Sequence, residues 1–418
     1  MKNYKCGAIA MLIEKFIKMV SQLAILIMMA NILGADKFGI LMYALAIASI
    51  FIFLNNLGLD TLLVKKLVQQ PTKQFSFLYH AWVLRTSGAL ISIILVNVIG
   101  LWLVSAEDRL LLFIISIYHL FIPINLIEWF FNVKGRSDFA AIGLIIGHVV
   151  GFLFRLIVLL SIENILWLAA AYSIELIVTG IVYFILIKRV RIKINHLKIS
   201  KERGLRLVNE AKPLIISGAL VLLYMKMDQI MLGYMIGSYE VAVYTAATRL
   251  SEAWFFVGIT IITVFYPKFL ESLENSGNEA YFQWIVNIGR IVVWGAVVLA
   301  ITTMLMSEEI VELLYQDNYK DSASVLAISI WCVPFVYLGS MATKMLITDN
   351  KNNIILKRSF LGVIVNLILN LILIPQYGAV GAAVSTLISQ MVSGFLFNFF
   401  GKSGFVFYIQ LKIIMFLK

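Results

Sequence analysis

The sequence predicts an all-α integral membrane protein with about twelve transmembrane helices, and two observations support this fold class. Hydrophobic residues make up 61% of the 418-residue chain and charged residues only 14%, with a mean hydropathy of +0.94. Soluble domains carry about 25% charged residues, so this composition excludes a soluble globular fold. The apolar residues are also gathered into long stretches, and a helix needs about 20 such residues to cross a bilayer.

Hydropathy along the chain places the individual helices between polar turns. Residues 401–418 follow the last helix and are apolar but interrupted by Lys412, which predicts a cytoplasmic or interfacial tail. The predicted spans are residues 12–33, 39–59, 78–104, 110–131, 139–160, 165–187, 213–236, 241–265, 284–306, 323–347, 359–375 and 379–400.

Lysine and arginine are distributed unequally between alternate loops. The loops on the side of the N-terminus carry 23 of them, whereas the opposite side carries only three, Lys37, Arg109 and Lys320. Basic loops stay in the cytoplasm, so both chain termini are predicted to be cytoplasmic. The formal charge of +11 is therefore mainly a signal of membrane orientation, and nucleic acid is not an expected partner.

The long basic loop 188–212 lies near the midpoint and predicts a cytoplasmic linker between two six-helix halves, residues 1–187 and 213–400. An even number of helices gives both halves the same topology, so a pseudo-twofold axis along the membrane normal is expected. Pro123 and Pro334 occupy similar places in the fourth and tenth helices. Each removes a backbone hydrogen bond, and each is either a hinge for alternating access or a static packing kink.

Eight basic and five acidic residues fall inside the predicted spans. An ion at bilayer depth costs about 2.5–3.5 kcal/mol on insertion scales, so such residues face protein or a water-filled cavity, usually on a solute pathway. This pattern favours a transporter. Arg249 and Glu252 are three residues apart on one helical face and are expected to pair. Lys226 and Asp228 are two apart, so each is expected to find a partner on another helix.

The basic excess suits an anionic solute such as a phosphate or pyrophosphate, which arginine and lysine bind through charge-assisted hydrogen bonds. The acids are candidates to carry a coupled proton or sodium ion, and the alternative for the deep charges is a structural ion pair between helices. The basic candidates for a substrate path are Lys226, Arg249, Arg85, Arg290 and Lys18, and the acidic candidates for ion coupling are Asp228, Glu252 and Glu175.

Other polar residues are less informative. Lys18, Arg85 and Arg290 lie near the cytoplasmic side, where they form a basic vestibule or snorkel to the interface. Asn366 and Asn370 are four residues apart and line a polar seam or bond neighbouring helices. The pattern contains no metal-ligand spacing and no cofactor motif. Five residues near span ends are interpreted as snorkelling interface anchors: Glu14, Lys15, Glu128, Arg155 and Lys344.

Four segments carry a resemblance to a known family. These segments are similar to Wzx-type O-antigen flippases. They are residues 32–45 with the turn Gly34-Ala-Asp-Lys-Phe-Gly39, residues 56–60, the opening of the second half at 228–249, and the final helix pair at 370–387. The resemblance covers nearly the whole chain. It also implies the wider MOP superfamily, which includes multidrug extruders and lipid II flippases.

The resemblance implies a function and a substrate. The expected function is translocation of an undecaprenyl-pyrophosphate-linked oligosaccharide from the cytoplasmic to the periplasmic leaflet of a bacterial inner membrane. Membrane lipid and other polysaccharide-assembly proteins are the implied partners. A cation-coupled multidrug or small-molecule exporter remains an alternative, as does a membrane glycan polymerase. The latter class resembles this chain less, because its members have a large periplasmic loop.

Overall fold

The structure is a computed structural model that describes residues 2–162, 164–189, 200–315, 317–400 and 403–415. Throughout these ranges the regular structure is helical, and no strand occurs among them. The α-helices are α1 (Lys2–Ile50), α2 (Ile52–Asn56), α3 (Leu59–Gln69), α4 (Gln74–Leu103), α5 (Arg109–Ser116), α6 (Leu126–Val133), α7 (Ser137–Ser161), α8 (Ile165–Arg189), α9 (Lys201–Met235), α10 (Ser238–Leu305), α11 (Ser307–Leu314), α12 (Ser322–Ser329), α13 (Cys332–Thr348), α14 (Asn352–Gly394) and α15 (Gly404–Ile414). Short 3₁₀ segments cover Pro71–Lys73, Ile117–Asn125, Asp317–Tyr319 and Leu396–Phe399.

Long apolar helices confirm the predicted fold class. Within the described ranges, nine helical stretches are long and apolar enough to span a membrane. Three long helices, α1, α10 and α14, are interrupted by a glycine with non-helical dihedral angles, at Gly34, Gly277 and Gly378. The sequence predicts a turn between two spans near each of these glycines, which is why nine stretches stand where twelve spans are expected. The count of twelve crossings stays a prediction.

Both hinge candidates lie at irregularities of the helical backbone. Pro123 is inside the 3₁₀ segment Ile117–Asn125, which joins α5 to α6 in the middle of an apolar span. Pro334 is the third residue of α13, directly after the break that follows α12. A 3₁₀ stretch within a helix often marks a hinge or local strain, so the hinge hypothesis remains open at both prolines.

The chain divides into two compact units of similar size. One contains Met1–Leu33 and Ile40–Lys226, and the other contains Gly34–Gly39 and Met227–Lys418. The division falls inside α9, after Lys226, and the halves 1–187 and 213–400 with their linker stay a prediction. Residues 201–212 of that linker form the first turns of α9, while residues 190–199 lie outside the described ranges.

The predicted C-terminal tail contains a helix that belongs to the second unit. Val406, Ile409 and Ile413 on α15 are buried in a core cluster with residues of α10 and α13. Gln410 is also buried, and its amide donates to the backbone oxygens of Leu338 and Gly394 at 3.1 and 2.9 Å. Residues 404–414 of the predicted tail thus pack against protein through this apolar face, and the cytoplasmic or interfacial placement of residues 401–418 stays a prediction.

Close packing of α7 on α8 shapes the first unit. Gly143, Gly147 and Gly151 repeat every four residues along one face of α7, where a Cβ atom would collide with α8. At Gly151 an added Cβ would lie 2.9 Å from the Cβ of Glu175. The absence of side chains on this face allows close helix contact and brings Glu175 against α7.

Candidate functional site

Asp228 is the centre of a buried polar cluster in the second unit. It lies near the C-terminal end of α9 and is only 5% exposed. Its Oδ1 accepts a hydrogen bond from Asn370 at 2.6 Å, and its Oδ2 accepts from the hydroxyls of Tyr244 at 2.6 Å and Thr386 at 2.5 Å. The donors belong to α10 and α14, which confirms that Asp228 finds its partners on other helices.

The two asparagines of the predicted polar seam complete this Asp228 cluster. Asn370 also donates to the Oδ1 of Asn366 at 3.2 Å, and both asparagines are fully buried. The Oδ1 of Asn370 is buried and accepts no hydrogen bond in the described part of the chain. The cluster therefore gathers carboxylate, amide and hydroxyl oxygens around one negative charge, a donor set suited to a small hard cation or a proton.

Glu175 lies in a second cluster, which the first unit contains. Its Oε1 is 2.6 Å from Nδ1 of His148, and its Oε2 accepts from the guanidinium of Arg155. The other ring nitrogen of His148, Nε2, is 3.1 Å from Oε1 of Glu14. Glu14 and Arg155 are buried here, so their interpretation as snorkelling interface anchors is wrong.

Arg249 and Glu252 form the expected pair on α10. Arg249 Nη1 lies 3.0 Å from Glu252 Oε2, and the two side chains are 36% and 35% exposed. The Nε of Arg249 is itself buried and donates no hydrogen bond within the described residues. The rest of this partly exposed side chain places a cationic group inside an apolar helix, as an anion-binding group requires.

The remaining basic candidates differ in their surroundings. Arg85 is fully buried, and its Nη2 lies 2.5 Å from Oδ1 of Asp60, so it adds no open charge to a vestibule in this conformation. Arg290 is half-buried and donates to the backbone oxygen of Lys412 at 3.1 and 3.3 Å. Lys18 is exposed on α1 and Lys226 is half-buried on α9.

Sequence reasoning missed several members of the two clusters. Tyr244 and Thr386 carry no charge, and nothing in their local sequence distinguishes them from other polar residues in apolar helices. His148 appeared isolated among scattered histidines, because its partner Glu14 is 134 residues away. The glycine repeat on α7 was the available signal, since it marks the face on which Glu175 approaches.

The architecture of the chain is that of a known class of membrane proteins. The structure of the lipid II flippase MurJ in an inward closed conformation matches with a TM-score of 0.73 at 15% identity, covering 96% of this chain and 90% of that one. A MATE transporter of Vibrio cholerae matches with a TM-score of 0.66 at 13% identity, covering 99% and 98%. The chain is therefore a multi-pass membrane protein with the fold of the MOP superfamily.

The family follows from sequence comparison. The family described as polysaccharide biosynthesis protein matches residues 5–273, which is more than half of the chain, and the chain belongs to that family. The capsular polysaccharide biosynthesis protein CapF of Staphylococcus aureus is 26% identical over 46% of this chain and 49% of its own length. An uncharacterized membrane protein of Methanocaldococcus jannaschii is 25% identical over 58% of this chain and 49% of its own. The chain thus spans about half the length of the curated relatives it matches.

Proposed function

We propose that this protein is a flippase for an undecaprenyl-pyrophosphate-linked oligosaccharide, such as an O-antigen or related polysaccharide repeat unit. It moves this substrate from the cytoplasmic to the periplasmic leaflet of a bacterial inner membrane by alternating access, with both termini in the cytoplasm. The polysaccharide biosynthesis family and the fold shared with a lipid II flippase support this proposal. Its substrate and topology also agree with the basic excess of the helices and the basic loops.

The observation that supports the proposal most directly is the partial exposure of the Arg249 side chain within an apolar helix. The Arg249 side chain has one carboxylate partner, Glu252, and is 36% exposed within a membrane-spanning helix. Burying a cation in an apolar span is unfavourable, and such residues usually lie on a solute pathway. A pyrophosphate offers the oxyanions that an arginine binds through paired hydrogen bonds.

Lys18 and Lys226 join Arg249 as candidate anion-binding residues, because neither is fully buried. Arg85 is a weaker candidate because its side chain is only 1% exposed, and Arg290 because two of its nitrogens already donate to the backbone oxygen of Lys412.

Ion coupling is assigned to Asp228 in this proposal. Its carboxylate and the unpartnered Asn370 Oδ1 are two oxygens that a proton or a sodium ion would use. Glu252 is already engaged with Arg249, and Glu175 with Arg155 and His148, so neither offers a carboxylate without a cationic or imidazole partner. A cation entering the Asp228 cluster would replace hydrogen bonds that now join α9 to α10 and α14, which gives it a means to act on helix positions.

A second candidate function is cation-coupled export of small molecules. The observation that favours it is the fold shared with a multidrug resistance MATE transporter, which matches with a TM-score of 0.64 at 14% identity. This function predicts that acidic residues dominate solute binding. The basic character of the exposed intramembrane residues favours the flippase.

The test is transbilayer movement of a fluorescently labelled undecaprenyl-pyrophosphate oligosaccharide in proteoliposomes. Wild type is compared with Arg249→Ala and with Lys268→Ala. The latter is a matched control, because Lys268 forms an i,i+3 pair with Glu271 on the same helix at 3.0 Å but is more exposed. Folding of each variant is checked by gel filtration in detergent.

Movement by wild type that falls at least tenfold in Arg249→Ala and stays unchanged in Lys268→Ala supports the flippase and the role of Arg249. Equal movement in all three proteins makes the Arg249 pair structural. No movement of any lipid-linked glycan, together with export of an organic cation, supports the exporter instead.

A further inference from the structure

Both ring nitrogens of His148 face carboxylate oxygens. Nδ1 lies 2.6 Å from Oε1 of Glu175, and Nε2 lies 3.1 Å from Oε1 of Glu14. His148 and Glu14 are 7% and 4% exposed, so water does not separate these groups from each other. Each distance is that of a hydrogen bond, and each hydrogen bond requires a proton between nitrogen and oxygen.

Counting donors shows that this arrangement contains one additional proton. A neutral imidazole has one N–H donor and one lone pair, and an ionised carboxylate only accepts. With a neutral ring and two ionised carboxylates, one of the two contacts would set a nitrogen lone pair against an oxyanion. The contacts are both favourable when the ring is an imidazolium or when one of the two carboxyls is protonated. The ion pair of Glu175 with Arg155 favours its ionised form, so Glu14 is the carboxyl that would hold the proton.

Charge counting gives the same answer. Glu14 and Glu175 supply two negative charges, and Arg155 supplies one positive charge through its bond to Glu175. A neutral His148 leaves this buried cluster with a net charge of about −1, whereas one bound proton makes it neutral, and uncompensated buried charge is strongly unfavourable. The other charged groups that act on the cluster are Lys18 on α1 and Glu128 on α6, and Lys15 acts on Glu128.

We propose that Glu14, His148, Glu175 and Arg155 form a proton-binding site in the first unit, in which one exchangeable proton is shared between His148 and Glu14. This site is distinct from the Asp228 cluster, which lies in the other unit and is built from oxygen donors without an imidazole. It exists whether or not the chain transports a lipid-linked glycan.

The packing of α7 against α8 determines which of the two His148 hydrogen bonds breaks when the proton leaves. Glycines 147 and 151 hold α7 close to α8, where their missing side chains leave room for Thr179 and Glu175. Arg155 also donates to the backbone oxygen of Gly151 at 3.1 Å and is bonded to Glu175, so the His148–Glu175 contact is fixed from both sides. Loss of the proton therefore opens the contact between His148 on α7 and Glu14 on α1.

The first variant is Glu14→Gln, which removes the need for the extra proton. A glutamine amide donates an N–H to the Nε2 lone pair of a neutral imidazole, while Nδ1–H donates to Glu175. Both contacts persist, so this variant is expected to fold, with His148 held neutral. The second variant, His148→Gln, removes the titrating ring. His80→Gln is the matched control, because the ring nitrogens of His80 lie within hydrogen-bond distance of backbone atoms of Ser76 and Ser200 and not of a carboxylate among the described residues.

The measurement uses the full-length chain in proteoliposomes, labelled with ¹⁵N at histidine and titrated over about pH 5 to 8. Imidazole ¹⁵N shifts report an imidazolium, and infrared difference spectra report a protonated carboxyl. We expect wild type and His80→Gln to release one proton in this pH range, detected by one of these two signals. Glu14→Gln and His148→Gln should not show this titration.

A wild-type titration that shows neither signal, or a signal that persists in Glu14→Gln and His148→Gln, overturns the proposal. Neither readout requires substrate movement. A protein that shows the titration but moves no glycan would contradict the proposed function and support this inference. A protein that moves the glycan but shows no titration would do the opposite.

Discussion

Replacing Gly277 with alanine tests whether α10 is two helices joined by a glycine turn. Gly277 has φ 78° and ψ −171°, a region that residues with a side chain rarely adopt. An added Cβ would meet no atom within 4 Å, so the cost of the substitution is conformational and not steric. Holding a non-glycine residue in such a region costs about 1–3 kcal/mol.

Gly295→Ala is the matched control within the same helix. Its added Cβ also meets nothing within 4 Å, but Gly295 lies in a regular part of α10. There alanine is favoured over glycine by about 0.5–1 kcal/mol, because it loses less conformational freedom on folding. The two variants should therefore differ by about 1.5–4 kcal/mol, with opposite signs relative to wild type.

The assay is thermal unfolding of the purified chain in detergent micelles, followed by circular dichroism. A domain of about 200 residues shifts its Tm by about 2–4 °C per kcal/mol. We expect Gly277→Ala to lower Tm by several degrees and Gly295→Ala to leave it unchanged or raise it slightly. If both variants unfold together with wild type, the chain does not turn at Gly277 and the reasoning fails.

Two further predictions concern buried charges. Asp228→Asn should fold but lose the stimulation of glycan movement by an ion gradient, because it removes the only formal charge among the five cluster residues described above. Asp138→Asn, which changes an exposed carboxylate, is the control and should keep this stimulation. Stimulation of Asp228→Asn equal to that of wild type would contradict ion coupling at Asp228. Arg85→Ala should destabilise the protein towards the lower end of about 3–5 kcal/mol, because Asp60 is 34% exposed and gains partial hydration. Arg136→Ala is the control, because it breaks an ion pair in which both side chains are exposed, and it should change stability by less than about 1 kcal/mol. Equal denaturation midpoints for Arg85→Ala and Arg136→Ala would refute the larger effect expected at Arg85.

The sequence predicts the features of this fold that depend on position along one helix. Hydropathy places the apolar spans, and the i,i+3 spacing predicts the Arg249–Glu252 pair. The i,i+4 spacing places Asn366 and Asn370 on one helical face, where Asn370 donates to Asn366. The sequence does not predict the direction in which a side chain points around the helix axis, since that depends on packing. Glu14 and Arg155 lie near span ends and appeared able to reach the interface, yet both point inward.

The structure also shows that the basic residues inside the membrane spans differ in their partners and in their exposure. Arg85 and Arg155 are buried and bonded to carboxylates, so their cost in the membrane is offset within the first unit. Arg249 differs because its side chain is 36% exposed, whereas those of Arg85 and Arg155 are 1% and 5% exposed. An incoming anion can therefore reach the Arg249 side chain but not the other two. The sequence places Arg85 near the cytoplasmic side and Arg155 near a span end, but it does not show how exposed each side chain is. We expect loss of charge at Arg249 to affect transport more than stability.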